Sequence, residues 1–415
     1  MPNSQWFTTN MQNIVELTQT LSKIPSESGC EENLRKLVLA ELRSLNVEVW
    51  TDELGTIRAQ IPKNQPGRFG QSLCLVGNLD HCAVSTYDGW IFPPYGGVIT
   101  TDTIFGRGVC DPKGPLTSII FALKCIMSNN LPIGGNLDLI LVPSSCEAEG
   151  VALKNAFENE GLSPDFVLVI KPTNLRLATG HQGRTTLEMS MFSSGDSNWF
   201  STHSDPTKRI ATLLYHLQHT LDSPKSDEDL GTSSWGITGL STFPKPTQFA
   251  PESCVALVER KTLADEDSDV VLREFQQAIQ SIVIEGVDLG HVELKVRETD
   301  VLFSSGIKRQ FKFSSPAWHL PKTDPSVEDC LEVLRKVNIF DPPIIHPYMT
   351  EASWTAGELG IPTVIYGPGD PTLVNTKQEQ VKLSDLATAA KIYTELVQSL
   401  TSKPPPHIRP LVGSE

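Results

Sequence analysis

The chain has 415 residues, more than one compact core usually holds, so its length favours two domains or one domain with a large insertion. Hydrophobic residues make up 39% and charged residues 20%, a globular composition that excludes collagen-like and largely disordered classes. The formal net charge of −15 argues against duplex DNA or an anionic membrane as a partner, because phosphate binding needs clustered cations and no basic run is present.

The first ten residues, MPNSQWFTTN, lack the basic and apolar stretches of a signal peptide, and no apolar run approaches the roughly 20 residues that span a bilayer. We therefore expect a soluble cytoplasmic protein with neither a membrane nor a nucleic-acid partner. The eight cysteines include no CxxC pair and are too sparse for a disulfide scaffold. Most are expected to be reduced thiols buried as small hydrophobic groups.

The first part of the chain alternates between amphipathic helical patterns and apolar strand-like runs. The predicted helices cover 11–22, 31–46, 116–130 and 151–161, and the predicted strands cover 47–53, 56–62, 72–80, 136–145 and 164–172. This alternation predicts an α/β fold with a mostly parallel sheet. Ligands bind such sheets at the carboxyl ends of the strands, which here would carry Asp80, the segment 146–149 and Lys171.

The pattern changes after residue 184 and resumes near residue 298. Between these points lie predicted strands over 185–192, 254–260 and 292–298 and predicted helices over 209–221 and 269–282. The segment resembles a ferredoxin-like α+β insertion of β-α-β-β-α-β order, in which one strand has no assigned bounds. The α/β pattern then continues with helices over 326–338 and 383–400 and a strand over 361–370. We assign 1–180 and 296–403 to a discontinuous catalytic-like domain, 181–295 to an inserted lid domain and 404–415 to a Pro-rich tail.

Short stretches in a fixed order carry a resemblance to a known family. They are VGNLDHCAV (76–84), GRGVCDPKGPL (106–116), CEAEG (146–150), IKPTNL (170–175), GHQGR (180–184), LVERKTL (257–263), TEASW (350–354) and GIPTVIYGPGDPTLVNTKQEQV (360–381). Over residues 11–400 the chain resembles the zinc-dependent amidohydrolases and exopeptidases, a metallopeptidase family that includes acetylornithine deacetylase, succinyl-diaminopimelate desuccinylase, aminoacylase and glutamate carboxypeptidase. The resemblance implies a zinc-exopeptidase-like catalytic domain interrupted by a lid domain that often forms a homodimer.

The resemblance also implies a two-zinc site made by five side chains, of which this chain keeps only Asp111. The other four ligand positions hold different residues, namely Asn78, Ala148, Lys171 and Asn375. The family's general-base position is retained as Glu147, and the aspartate beside the metals is retained as Asp80. Together with Lys171, these two are the candidate catalytic residues.

Zinc requires deprotonated nitrogen, sulfur or oxygen donors, and two adjacent dications require several negative charges. The ammonium of Lys171 at about 4 Å would repel a cation by roughly 4 kcal/mol per unit charge at an effective dielectric constant of 20. We therefore expect no zinc cofactor. Instead, Lys171 is expected to form a salt bridge with Asp111 or Glu147 inside the former metal cavity.

Four further positions are candidates for substrate binding. Arg260 is expected either to recognise a substrate carboxylate or to be structural. Gly367 and Gly369 are expected either to hold an anion through backbone N–H groups or to form a tight turn. Asn375 lies at the position of the last family ligand. Thr350-Glu351-Ala352 carries Glu351 where the family has aspartate, so its role is open.

The lid histidine that serves as oxyanion donor in the family is replaced by Trp199 in an ungapped alignment. His203 reaches that position only if the loop is shifted.

The sequence is compatible with three other chemistries. A thiol nucleophile would be formed by Cys82, Cys110 or Cys146 together with His81. Side chains alternate along an extended strand, so Cys110 and Cys146 are expected to face the core and His81 to face away from the site. His81, Asp80, Asp111 and Glu149 would form a rearranged mononuclear metal site. Glu147 as a base with Lys171 as an electrostatic stabiliser would form a metal-free enzyme.

The sequence thus predicts a homologue with a degenerate zinc site that is not a zinc hydrolase. It is expected to bind an acylated amino acid or a small peptide-like ligand, either as a pseudoenzyme or as a metal-free biosynthetic enzyme. The alternative is an active metal-dependent amide hydrolase with a rearranged metal site. A homodimer through the lid is a further expectation.

Overall fold

A computed structural model describes residues 4–65, 70–193, 205–221, 224–244 and 251–404. Trp199, His203 and the predicted tail beyond residue 404 lie outside these ranges. The chain forms two units, one made of Met1–Gly180, Asp300–Arg309 and Leu320–Glu415 and the other of His181–Thr299 and Gln310–His319. None of the helices in the described ranges is long and apolar enough to cross a membrane.

The secondary structure follows the predicted elements with shifts of a few residues at their ends. In the described ranges the helices are α1 (Ser4–Thr9), α2 (Met11–Ser22), α3 (Glu32–Arg43), α4 (Gly114–Ser128), α5 (Val151–Glu160), α6 (Pro206–Thr220), α7 (Ser268–Ile284), α8 (Pro325–Lys336) and α9 (Leu383–Thr401). The strands are β1 (Glu48–Thr51), β2 (Ile57–Ile61), β3 (Leu73–Asn78), β4 (Val98–Thr100), β5 (Thr103–Phe105), β6 (Leu137–Val142), β7 (Phe166–Ile170), β8 (Ala178–His181), β9 (Gly183–Phe192), β10 (Ser226–Asp227), β11 (Gly231–Thr232), β12 (Ser234–Phe243), β13 (Ser253–Thr262), β14 (Val292–Val296), β15 (Glu298–Leu302), β16 (Lys308–Lys312), β17 (Ser314–Ser315), β18 (Trp318–His319), β19 (Ile344–His346), β20 (Thr363–Tyr366) and β21 (Gln380–Lys382).

The first unit is built on a mixed sheet in the order β1-β2-β6-β3-β7-β20-β8. Its central ladders, β6 with β3, β3 with β7 and β7 with β20, are parallel, as the helix-strand alternation predicts. Every residue of β3 and β7 is buried, which explains why both read as uninterrupted apolar runs. Leucine and isoleucine side chains of α4 and α9 join the same hydrophobic core.

The parallel register determines which loops meet at the functional edge of the sheet. Asn78 at the end of β3 pairs with Val142 at the end of β6, and Tyr366 at the end of β20 pairs with Ile170 at the end of β7. The segments that follow these four strands therefore leave the sheet side by side. They carry Asp80, the turn at 144–148, Lys171 and Gly367.

The second unit has the order β9, α6, β12, β13, α7, β14, and its antiparallel sheet runs β12-β13-β9-β14. This is the predicted ferredoxin-like topology. One sheet face packs on α6 and α7 through a core that includes Leu187, Met189, Leu213 and Phe275. Aspartates cap both helices, because Asp205 and Asp267 accept hydrogen bonds from first-turn amides.

The second unit takes in more of the chain than the range 181–295 assigned from sequence. The second unit begins at His181, as assigned, but it extends to Thr299 and includes Gln310–His319. The physical reason is the short strand β17, in which Ser314 and Ser315 pair with Thr185 and Arg184 of β9. A two-residue strand leaves no periodic signal from which it could be predicted.

Candidate functional site

Asp80 joins the loop after β3 to the turn after β6. Its carboxylate is fully buried and accepts hydrogen bonds from the backbone N–H groups of Ser145 (2.9 Å) and Cys146 (2.8 Å) and from the hydroxyl of Ser28 (2.7 Å). Three donors to one carboxylate position the turn. The predicted catalytic role of Asp80 stays a prediction, and its observed contacts position the backbone.

A buried lysine lies between two buried carboxylates in the middle of the site. The Nζ atom of Lys171 is 3.2 Å from Oδ2 of Asp111 and 3.9 Å from Oε2 of Glu351. We call these three residues the ion triad. The predicted pairing of Lys171 with Asp111 is confirmed, and the second carboxylate is Glu351 rather than Glu147.

All three residues of the ion triad are buried, and the ammonium of Lys171 lies between two carboxylates. Burial alone lowers the pKa of Lys171, but the carboxylates of Asp111 and Glu351 outweigh this effect and raise the pKa well above its ordinary value. Burial raises the pKa of Asp111, and the ammonium of Lys171 opposes that rise. The two carboxylates therefore favour the protonated form of Lys171.

Asp111 is held in place by a second buried carboxylate, Glu379. One oxygen of Glu379 accepts hydrogen bonds from the backbone N–H groups of Gly108 (2.9 Å) and Cys110 (3.1 Å), and the other pairs with the Arg107 guanidinium at 2.9 Å. The turn Val109–Lys113 is thereby fixed with Asp111 inside it. Glu379 is not among the site residues predicted from the sequence. The available signal is that it is the single glutamate of the matched stretch 360–381 and lies between polar residues.

Tyr348 is a second residue that the sequence did not reveal. Burial raises the pKa of its phenol, and the negative charge of Asp111 adds to this rise. The hydroxyl is buried without a hydrogen-bond partner among the described residues. A buried hydroxyl in this state costs free energy unless a water or a ligand satisfies it.

The other replaced ligand positions do not point donors into the cavity. The side-chain amide of Asn78 donates to the carbonyl of Asp80 at 2.8 Å, and Ala148 has no donor. Asn375 is exposed with a φ of 63°, and its backbone carbonyl accepts from Arg107 at 3.2 Å. Its predicted substrate-binding role stays a prediction.

His81 and the thiols lie around this site in different environments. Nε2 of His81 accepts from the N–H of Ser26 at 3.1 Å and Nδ1 faces the carbonyl of Cys82 at 3.0 Å, so both ring nitrogens are occupied. Burial lowers the pKa of His81 to about 3. Cys110 is buried, as expected, with its thiol 3.2 Å from the carbonyl of Asp370.

Cys146 corrects an expectation. It was predicted to turn into the core, but it is an exposed residue. Its thiol hydrogen-bonds with that of Cys82, which raises the pKa of Cys146 and lowers that of Cys82. The reason is that residues 144–148 form a turn rather than a strand, so the alternation of an extended chain does not apply. Glu147, next to it, is also exposed.

Gly367 and Gly369 are required by close packing. A Cβ atom at Gly367 would lie 2.3 Å from the backbone carbonyl oxygen of Lys171, and one at Gly369, whose φ is +91°, would lie 2.6 Å from the sulfur of Cys110. The N–H of Gly367 donates to the hydroxyl of Thr173 at 3.1 Å. The predicted anion-binding role of the two glycines stays a prediction.

Arg260 lies in the second unit and is buried in an ion cluster. Its guanidinium is 3.0 Å from Glu266 and 3.6 Å from Glu274, and Lys225 also pairs with Glu266 at 3.0 Å. These contacts describe a structural role within the lid. Recognition of a substrate by Arg260 stays a prediction.

The fold, a mostly parallel-sheet domain with an inserted lid, is of the peptidase and amidohydrolase type. The chain belongs to peptidase family M20/M25/M40, whose model matches residues 75–399. A relative in Halalkalibacterium halodurans, N-formyl-4-amino-5-aminomethyl-2-methylpyrimidine deformylase, is 21% identical over 92% of this chain and 93% of its own length. Succinyl-diaminopimelate desuccinylase from Orientia tsutsugamushi is 24% identical over 58% of this chain and 64% of its own length.

A solved structure supports the same fold. The metallo-carboxypeptidase Sso-CP2 from Sulfolobus solfataricus superposes with a TM-score of 0.73, at 16% identity, over 94% of this chain and 99% of its own.

The donor set of this chain does not fit the two metal ions of the family. One ligand position holds a methyl group, and another holds the Asn78 amide, a neutral group whose N–H donates to backbone and whose Oδ1 has no hydrogen-bond partner among the described residues. A third holds an ammonium that is paired with Asp111. In the part of the chain that the structure describes, no three His, Cys, Asp or Glu side chains are grouped to hold a metal ion.

Replacing Lys171 by glutamate tests the ion triad. We expect Lys171→Glu to lower the free energy of unfolding by about 3–5 kcal/mol, because it leaves buried carboxylates without a counter-charge. Urea denaturation in the presence of a chelator measures this. Lys154→Glu is the matched control, since Lys154 is an exposed helix residue 3.9 Å from Glu158, and a change within about 0.5 kcal/mol is expected there. Equal stability of Lys171→Glu and wild type would contradict the ion triad.

Proposed function

We propose that this chain is an M20-family protein in which the ion triad replaces the two-zinc centre, and that it binds an acylated amino acid or a small peptide-like molecule without zinc-dependent hydrolysis. The observation that carries the proposal is the position of the Lys171 ammonium, 3.2 Å from the one retained ligand, Asp111. A cation that occupies the place of another cation excludes it by charge as well as by volume.

The electrostatics of the cavity support this reading. Asp111 and Glu351 contribute two negative charges, and Lys171 neutralises one of them inside the protein. Two divalent ions would add four positive charges beside this ammonium. Few carboxylates remain to balance them, since Asp80 and Glu379 are engaged by backbone N–H groups.

The ligand class is inferred from the relatives and from unsatisfied polar atoms. The two relatives are named for the removal of formyl and succinyl groups from their substrates. In this chain the buried hydroxyl of Tyr348 has no hydrogen-bond partner, and Glu147 is exposed at the same edge of the sheet. A ligand with an amide group offers an acceptor for the first and a donor for the second.

Binding without turnover is the form of the proposal that the contacts favour. The charge of Lys171 is committed to two carboxylates, so it is not available to stabilise an anion that develops on a substrate. Glu147 could still act as a base, and metal-free catalysis is therefore the outcome against which the binding role is tested.

Metal analysis separates this proposal from an active metallohydrolase. For protein purified without chelator we expect a zinc content far below one ion per chain, because the cavity already holds its counter-charge. Mass spectrometry of the digested protein measures it, with Asp111→Ala as the paired variant. Zinc near one or two ions per chain that disappears in Asp111→Ala would overturn the proposal.

Ligand binding is tested by thermal unfolding in the presence of acylated amino acids and dipeptides. A ligand at 100 times its dissociation constant stabilises the folded chain by about 2.7 kcal/mol, which raises the melting temperature. Tyr348→Phe is expected to reduce the shift by removing one hydroxyl. Tyr366→Phe is the matched control, because that phenol is also buried and unpartnered within the described residues but belongs to the hydrophobic core.

Two outcomes would contradict the binding role. One is the absence of a shift with every compound of both classes. The other is product formed in the presence of chelator and lost in Glu147→Ala, which would assign metal-free catalysis instead.

We also propose that the lid unit forms a homodimer through β12. This ten-residue strand is at the edge of its sheet and exposes Ile237 (52%), Leu240 (56%) and Phe243 (69%). A long apolar edge strand is a template for pairing with another strand, and a second copy of the same edge is the simplest partner.

A cytoplasmic location is proposed as well, since all eight cysteines are free.

Light scattering coupled to gel filtration tests the dimer. The wild type is expected to elute with twice the mass of one chain, and Leu240→Lys is expected to elute as a monomer, because the added charge would be buried in the interface. Glu259→Lys, an exchange on the neighbouring strand β13, is the control that should remain dimeric. A wild-type monomer at micromolar concentration would rule out the pairing.

A further inference from the structure

Cys82 and Cys146 occupy equivalent places in two neighbouring loops. The parallel register pairs Asn78 of β3 with Val142 of β6, and each cysteine lies four residues beyond its strand end. Asp80 joins the two loops, because its carboxylate accepts the N–H of Cys146 at 2.8 Å. The two thiols are hydrogen-bonded to each other as a result.

One residue of the pair is exposed. Cys146 is an exposed residue and Cys82 is partly buried, whereas Cys110, the second residue of its turn, is buried. A disulfide bond is about 2.05 Å long, so two thiols already in hydrogen-bond contact need only a small movement to form one. The loop connection through Asp80 keeps them together while this happens.

We propose that Cys82 and Cys146 form an oxidisable dithiol that closes to a disulfide when it meets a hydroperoxide. One thiol loses its proton and attacks a peroxide oxygen, which breaks the O–O bond and gives a sulfenic acid and water. The second thiol attacks the sulfenic sulfur, and its proton leaves with the hydroxyl group as a second water. In total, two thiols and one hydrogen peroxide give one disulfide and two waters, and a dithiol reductant reverses the change.

The bond has a consequence for the site beside it. It would tie the loop after β3 covalently to the turn that carries Glu147, and thereby restrict the movement of that turn. Access to the cavity at the ion triad would then differ between the reduced and the oxidised protein. The dithiol depends only on the loop geometry and not on the proposed ligand.

The experiment is oxidation of the native full-length protein with a small excess of hydrogen peroxide, followed by quenching, alkylation and peptide mapping without reductant. We expect one intramolecular Cys82–Cys146 cross-link, the loss of two alkylatable thiols per chain and their recovery with dithiothreitol. Cys82→Ser and Cys146→Ser should each abolish the cross-link, and Cys30→Ser, which removes another exposed thiol, should leave it unchanged.

Three results would overturn the inference. They are free thiols at both positions after the treatment, sulfinic or sulfonic acid at either position in place of the cross-link, and a disulfide in which Cys82 or Cys146 pairs mainly with another cysteine. Circular dichroism of the serine variants verifies that they fold, so that a lost cross-link is due to the missing thiol.

Discussion

The site depends on charge balance among buried side chains. Parallel strands bring several carboxylates to one edge of the sheet, and a folded chain cannot keep them ionised together without positive charge. In M20 relatives that charge is supplied by metal ions. Here a single lysine at the end of β7 supplies it, and Asp111 and Glu351 lie against its ammonium group.

The carboxylates of the site fall into two groups that serve different ends. Asp80 and Glu379 accept hydrogen bonds from backbone N–H groups and so hold the turns of the site in place. Asp111 and Glu351 face the cavity itself. Lys171 lies with the second group, so its charge acts on the site without disturbing the carboxylates that hold the turns.

Much of this could be predicted from the sequence, because uninterrupted apolar runs mark the buried strands and short motifs mark their ends. The pairing of Lys171 with Asp111 or Glu147 followed from the family's ligand positions together with charge, and Asp111 is the partner found. Glu379 could not be predicted in the same way, since its partners are far away in the chain, and Tyr348 has no periodic or compositional signal.

The turn after β6 shows a different limit of sequence reasoning. Cys146 was placed by the alternation of an extended strand, whereas the chain had already left the sheet at Val142. The side-chain direction in a turn depends on its hydrogen bonds, here those to Asp80, and not on the parity of residue numbers. The strand β12 was given no predicted bounds for a related reason, as its glycines, serines and exposed apolar residues do not alternate.

The ion triad also links positions that lie far apart in the sequence. An acid at position 171 alone would leave buried carboxylates without a counter-charge, and additional acidic or histidine side chains placed beside Lys171 would surround an ammonium that repels a metal ion. Under the proposed function, a single exchange toward the family's ligand set therefore lowers stability or leaves the repulsion in place. Several exchanges made together would be needed before this chain could hold two metal ions.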